Sequence, residues 1–140
     1  MKVQFFFIEK VPVLKDRTRL KKFIPTIFSK EEKRLGSLSY VFCSDDYLLE
    51  INKSYLNHNY YTDIITFCLS EPSLPVDGDI YISIDRVRDN AKNHETSIKE
   101  ELHRVIFHGA LHLCGYKDKS TKDEKLMRQM EDKYLKSYFK

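Results

Sequence analysis

Apolar residues along this chain change their period several times, and each change marks an expected element. Residues 2–8 are rich in Val and Phe with little alternation, which predicts a strand buried on both faces. From about Asp16, the residues Leu20, Phe23, Ile24, Ile27 and Phe28 recur at spacings of three and four. That spacing predicts a helix with one buried face, kinked or restarted at Pro25. Gly36 punctuates, and the run Leu38 to Cys43 predicts a second strand. Ser44 followed by Asp45 and Asp46 reads as an N-cap with an acidic first turn, opening a short helix through Leu48, Ile51 and Tyr55. Residues 63–69 predict a third strand, Pro72 and Pro75 a loop, and Asp79 to Ile84 a fourth strand. Asp85 is the expected cap of a helix ending near His94. Ser97 with Glu100, and Thr121 with Glu124, have capping-box spacing. They predict a helix from about Ile98 to Cys114, and a terminal one carrying Leu126, Met127, Met130 and Tyr134.

Strand-helix-strand-helix-strand implies parallel neighbours joined by right-handed crossovers. The short, non-helical return between strands three and four implies an antiparallel pair at an edge. The expected fold is therefore α+β: a small mixed four-stranded sheet, three strands parallel and one antiparallel, covered by helices. At 140 residues it is a single domain spanning residues 1–140.

Composition agrees, with 41% hydrophobic and 32% charged residues and only 4 Gly and 4 Pro. The longest apolar run, Phe5 to Ile8, is too short to cross a bilayer or to form the core of a secretory signal, so a cytoplasmic protein is expected. Three cysteines at wide spacing, Cys43, Cys68 and Cys114, suit reduced packing residues better than a disulfide framework. The net charge of +3 conceals a pattern. Residues 1–39 hold 10 Lys/Arg against 4 Asp/Glu and residues 117–140 hold 8 against 5, whereas residues 40–116 hold 6 against 12. Basic ends flanking an acidic centre suit a polyanionic partner gripped beside a bound cation, or else simply solvated helix faces.

The chemistry concentrates in the stretch His108-Gly109-Ala110-Leu111-His112-Leu113-Cys114-Gly115-Tyr116-Lys117-Asp118. On a helix His108 and His112 lie about 40° apart, so both imidazoles reach one point beside it. Gly115 is where the helix can end through a left-handed residue and turn back, bringing Asp118 to the same point. Three donors are one short of a closed structural zinc site, which leaves a fourth position for water. Cys114 lies on the opposite wall of the helix and cannot close it. The competing reading is a pair of hydrogen-bonded core histidines. His58, His94 and His103 belong to no such constellation and are expected at the surface or behind the ligands. A zincin protease carries Glu directly after the first His; position 109 is Gly, which counts against peptide hydrolysis.

The segment His108 to Asp118 closely resembles the signature of the YbeY family of bacterial metallo-endoribonucleases, usually H-G-x-L-H-L-x-G-Y-D-H. Ile51-Asn52 with Tyr55, then Thr62-Asp63-Ile64-Ile65-Thr66-Phe67, and Gly78-Asp79-Ile80 resemble three further family motifs in order. The likeness runs from about residue 40 to the final helix. It implies a zinc-dependent hydrolase with one Zn2+ per chain, cutting single-stranded RNA in ribosomal RNA maturation at the small-subunit 3′ end and in ribosome quality control. Its partners would be ribosomal RNA and ribosomal particles, with neither DNA nor membrane.

Two departures stand out. The family's third histidine falls at Asp118, preceded by Lys117, and Leu56 occupies a position where many members carry an arginine thought to meet the substrate phosphate. Aspartate is a competent zinc ligand, so His108, His112 and Asp118 remain the expected metal and catalytic residues, acting through a metal-bound water of lowered pKa. Arg104, Lys117 and Lys119 are candidates to replace the missing cation, and Thr62 and Asp63 to orient substrate or a ligand. Two other functions fit the same residues: a metzincin-like metallopeptidase with its base elsewhere, or a ribosome-assembly factor that binds metal and cleaves nothing.

Overall fold

A computed structural model describes residues 2–140. Its elements run β1 (Val3–Phe7), α1 (Arg17–Lys30), β2 (Leu35–Cys43), α2 (Asp45–Leu56), β3 (Ile64–Cys68), β4 (Val76–Ser83), α3 (Ile84–Asn93), α4 (Ile98–Leu113) and α5 (Thr121–Tyr138). The sheet order is β1-β2-β4-β3. β1, β2 and β4 are parallel, and β3 lies antiparallel to β4 at the edge. The α+β class and the mixed four-stranded sheet are as the sequence predicts.

Alternation along the central strands sorts side chains to two faces. Leu38, Tyr40 and Phe42 of β2 and Ile80 and Ile82 of β4 join the main core, with Leu20, Ile24, Ile27 and Phe28 of α1 and Leu102, Ile106, Phe107 and Ala110 of α4. Cys43, Leu48 and Ile65, backed by Ile51, Phe67 and Tyr81, form a smaller cluster under α2 on the other face. The buried Tyr40 hydroxyl donates to the Ile106 carbonyl at 2.8 Å, tying α4 to the centre of the sheet. The helix that carries both histidines is thus fixed to the most buried part of the fold.

Several expectations are corrected. β1 is an edge strand covered on one side only: Val3 is buried while Phe6 is 52% exposed. The helix on the other face of the sheet, α2, packs on β3 and β4, at the far side from β1. α1 continues through Pro25 without restarting there. The caps of α3 and α5 are Ser83 and Ser120, one or two residues before Asp85 and Thr121, and each hydroxyl accepts the N–H of the third residue on. Of the cysteines, Cys43 and Cys114 are buried but Cys68, at the end of the edge strand, is exposed. His103 is neither a surface residue nor a neighbour of the ligands. It is buried, with its ring 5.4 Å from Tyr138 and Nδ1 2.7 Å from the Lys99 carbonyl. No helix among the described residues is long and apolar enough to cross a membrane.

Candidate metal centre

The centre is assembled at the end of α4. Ser97 caps this helix by accepting the Glu100 N–H, whereas the Glu100 carboxylate is taken by the Thr96 hydroxyl, so only half of the expected capping box forms. His108 and His112 stand one turn apart, with ring centroids 5.4 Å apart at 74°. The helix stops at Gly115, whose φ of 107° is open to glycine at little cost, and the Tyr116 N–H reaches back to the Leu111 carbonyl to close the turn. The chain then folds over, placing Asp118 Oδ2 3.1 Å from His108 Nε2 and Asp118 Oδ1 3.4 Å from His112 Nε2.

Among the described residues, His108, His112 and Asp118 form the one group whose donor atoms all lie within 4.8 Å of one another. A tetrahedral ion with bonds of ~2.0–2.1 Å holds its donors about 3.3 Å apart, so the carboxylate-to-imidazole distances fit such an ion. The chemistry fits as well, since two imidazoles and a carboxylate are all good donors to a divalent metal. The arrangement can therefore hold a metal.

Around this triad the side chains divide into two clefts. One, of about 740 Å³, is lined by His108, His112 and Asp118 together with Thr62, Asp63 and Lys119, with Leu56 and Tyr60 also on its wall. The other, of about 470 Å³, lies along α4 toward its N-terminus and shares His108, Asp118 and Asp63 with the first. Thr62 spends its hydroxyl on the Ile64 carbonyl, at 3.4 Å. Asp63 Oδ2 accepts from Asn90 Nδ2 at 3.2 Å; burial raises its pKa, with the charge of His108 pulling the other way. Lys117 is exposed and lines neither cleft. Arg104 is already engaged, with Nη1 3.0 Å from Glu131 Oε1 and Nη2 2.7 Å from Asp132 Oδ1.

The two histidines differ electrostatically. Burial disfavours charge on His108, yet the hydrogen bond and charge of Glu131, with Asp118 and Asp63 behind, outweigh it and raise its pKa. Burial lowers the pKa of His112, with Asp118 opposing and the charge of His108 adding to the fall. Glu131, which holds His108 Nδ1 at 2.6 Å, is the residue the sequence reading missed. A signal existed: Met127, Glu131 and Tyr134 share the buried stripe of α5, and a carboxylate on such a stripe requires a partner. Gly109 also gains a physical reason. A Cβ there would meet Ile80 Cδ1 at 2.8 Å and Ile64 Cδ1 at 3.1 Å, so this position faces the sheet.

Comparison with known proteins places these features in a wider setting. The family model described as Endoribonuclease YbeY matches residues 8–139. That extends the likeness well before residue 40, to nearly the whole chain. An Endoribonuclease YbeY of Cytophaga hutchinsonii is 51% identical over 132 residues, covering 94% of this chain and 92% of its own. One from Porphyromonas gingivalis strain W83 is 49% identical over 131 residues, covering 93% and 86%. A Thermotoga maritima protein solved in solution superposes with a TM-score of 0.67 at 27% identity, over 98% of this chain and 89% of that one.

Proposed function

The chain belongs to the Endoribonuclease YbeY family, and from that membership we propose a zinc-dependent endoribonuclease that cuts single-stranded RNA in ribosomal RNA maturation. The reading extends to the small-subunit 3′ end, to ribosome quality control on ribosomal particles, and to a cytoplasmic setting. The observation that carries the metal dependence is the convergence of His108 Nε2, His112 Nε2 and Asp118 on one point at the junction of two clefts.

When bound there, a divalent ion supplies a Lewis acid for a phosphate oxygen and lowers the pKa of water. The chain's own residues do the rest. His108 and His112 present their Nε2 atoms from a helix fastened to the sheet, and Asp118 adds an anionic donor from the returning turn. Lys119, on the wall of the larger cleft beside Asp118, is the cation best placed to meet substrate phosphate now that position 56 is Leu. Asp63 has one oxygen held by Asn90 and sits in both clefts, so it is suited to orient a substrate hydroxyl or a water. The exposed Tyr60 ring, stacked on His58 at 5.1 Å, offers a face on the same wall for an unpaired base.

The metallopeptidase alternative is disfavoured by Gly109. In a zincin the general base follows the first histidine, whereas here that position packs on Ile80 and Ile64 with no room for a carboxylate. The test is cleavage of single-stranded RNA against casein by the zinc-loaded protein, its chelator-treated form and His112→Ala. RNA cleavage lost in the last two is expected. Casein cleavage would favour the peptidase, and metal binding with neither activity would favour a non-catalytic assembly factor.

A further inference from the structure

The polar edge of α4 continues beyond the ligands into a linked set of charges. Glu131, only 5% exposed, uses both carboxylate oxygens: Oε2 lies 2.6 Å from His108 Nδ1 and Oε1 lies 3.0 Å from Arg104 Nη1. Arg104 in turn reaches Asp132 Oδ1 at 2.7 Å through Nη2.

We propose that Glu131 is a positioning residue for the ligand His108, and that Arg104 acts through Glu131 and not on substrate. The inference rests on reading His108, His112 and Asp118 as a metal centre. A neutral imidazole has two tautomers, and only the one with its proton on Nδ1 leaves Nε2 bare as a metal donor. An acceptor fixed at Nδ1 selects that tautomer and orients the ring; Glu131 Oε2 is such an acceptor, and His108 Nε2 then faces Asp118 at 3.1 Å. Arg104 fixes which carboxylate oxygen faces which neighbour and supplies the countercharge that a buried carboxylate needs. The same contacts set two carboxylates against the Arg104 guanidinium, so its charge is already countered within the protein, which is why the role assigned to it is not phosphate binding.

An inversion follows from the donor chemistry. In Glu131→Gln the guanidinium, which has only donors, requires the amide oxygen. The amide NH2 must then turn to His108 Nδ1, donating to it and favouring the tautomer with the proton on Nε2. Removing the guanidinium as well frees the amide to turn over and accept from Nδ1.

The experiment measures zinc affinity of the full chain by competition with a chromophoric chelator at one mildly alkaline pH, with zinc-free melting to confirm folding. Glu131→Gln is expected to bind zinc about 10–100-fold more weakly than wild type. The double variant Arg104→Met/Glu131→Gln is expected to bind about tenfold more tightly than Glu131→Gln alone, a rescue that general loosening of the fold cannot produce. Should Glu131→Gln not fold, Glu131→Asp, which keeps the charge but withdraws it by one methylene, carries the same weakening. In RNA binding, Arg104→Met is expected to keep the wild-type dependence of log affinity on log salt; a lost phosphate contact would reduce the slope by about 0.7. Wild-type zinc affinity in Glu131→Gln, or in Glu131→Asp where that variant stands in, overturns the proposal and leaves the metal centre standing. Absence of rescue, or a reduced salt slope, overturns the role given to Arg104. Failure of the wild type to bind zinc removes the metal centre itself, and the proposal with it.

Discussion

In the proposed metal centre Asp118 is the donor that a turn supplies, and its removal is the sharpest test of the site. Its oxygens lie 3.1 and 3.4 Å from the two Nε2 atoms, and Asp118→Ala would leave two imidazoles on one helix as the only protein donors. Loss of an outer partner of a metal ligand already costs about 10–100-fold in affinity, so loss of a direct donor is expected to cost at least about 100-fold. A ligand that binds only the folded chain stabilises it by RT ln(1 + [L]/Kd), about 2.7 kcal/mol at 100 times Kd. For a chain of 140 residues this raises the melting temperature by ~10 °C. At the same zinc concentration the variant sits near its own Kd and gains about 0.4 kcal/mol, or ~1–2 °C. Scanning calorimetry with zinc and with chelator reads both shifts. Comparing each protein with its own chelated form cancels whatever Asp118 contributes to the fold without metal. A zinc-dependent rise in Asp118→Ala equal to that of the wild type would refute the third-donor assignment.

Other outcomes can be checked alongside it. Tyr134 and Tyr116 both donate to the Glu31 carboxylate, at 2.5 and 2.6 Å, pinning α5 and the ligand turn to the end of α1. Tyr134→Phe is expected to cost about 1.5–3 kcal/mol in urea unfolding, and a loss under about 0.5 kcal/mol would show that the knot is not stabilising. Gly109→Ala gains about 1 kcal/mol of helix propensity but forces a Cβ against Ile80 and Ile64, costing about 1–3 kcal/mol. A net loss near 1 kcal/mol with weakened zinc binding is expected; a stabilised variant would mean that the isoleucines yield freely. Glu101 is buried, with Oε1 lacking a hydrogen bond and His94 Nδ1 3.5 Å away; burial raises its pKa, with His94 and then Arg104 and Arg128 opposing. Because its folded pKa lies above its unfolded one, the stability it contributes is full below the unfolded value near ~4.3 and is lost as pH rises through the folded value. Glu101→Gln should therefore melt higher than wild type at neutral pH, with the gap closing toward pH ~4; a gap that is constant with pH would exclude this origin.

The parts of the site legible in the sequence are those that local geometry controls. His108, His112, the stop at Gly115 and the return to Asp118 lie within eleven consecutive residues, so helix pitch and one positive φ bring them together. Glu131 lies 23 residues from His108, and Asp63 immediately precedes the edge strand β3, so neither position follows from spacing. The burial of His103 has a local sign: it stands four residues before the buried Phe107, on the apolar face of α4. The shifts from Asp85 to Ser83 and from Thr121 to Ser120 reflect serine hydroxyls one or two residues earlier that reach the same free N–H groups.

Hydrophobic period and turn chemistry thus determined the elements, the mixed sheet and the three candidate donor residues, because each depends on neighbours within a few turns of backbone. Only the tertiary structure decided that Gly109 faces Ile80 and Ile64, and that Glu131 with Arg104 stands behind His108. These depend on which distant surfaces are buried against each other: local period marks the face that will be buried, and only the whole packed chain decides what it meets.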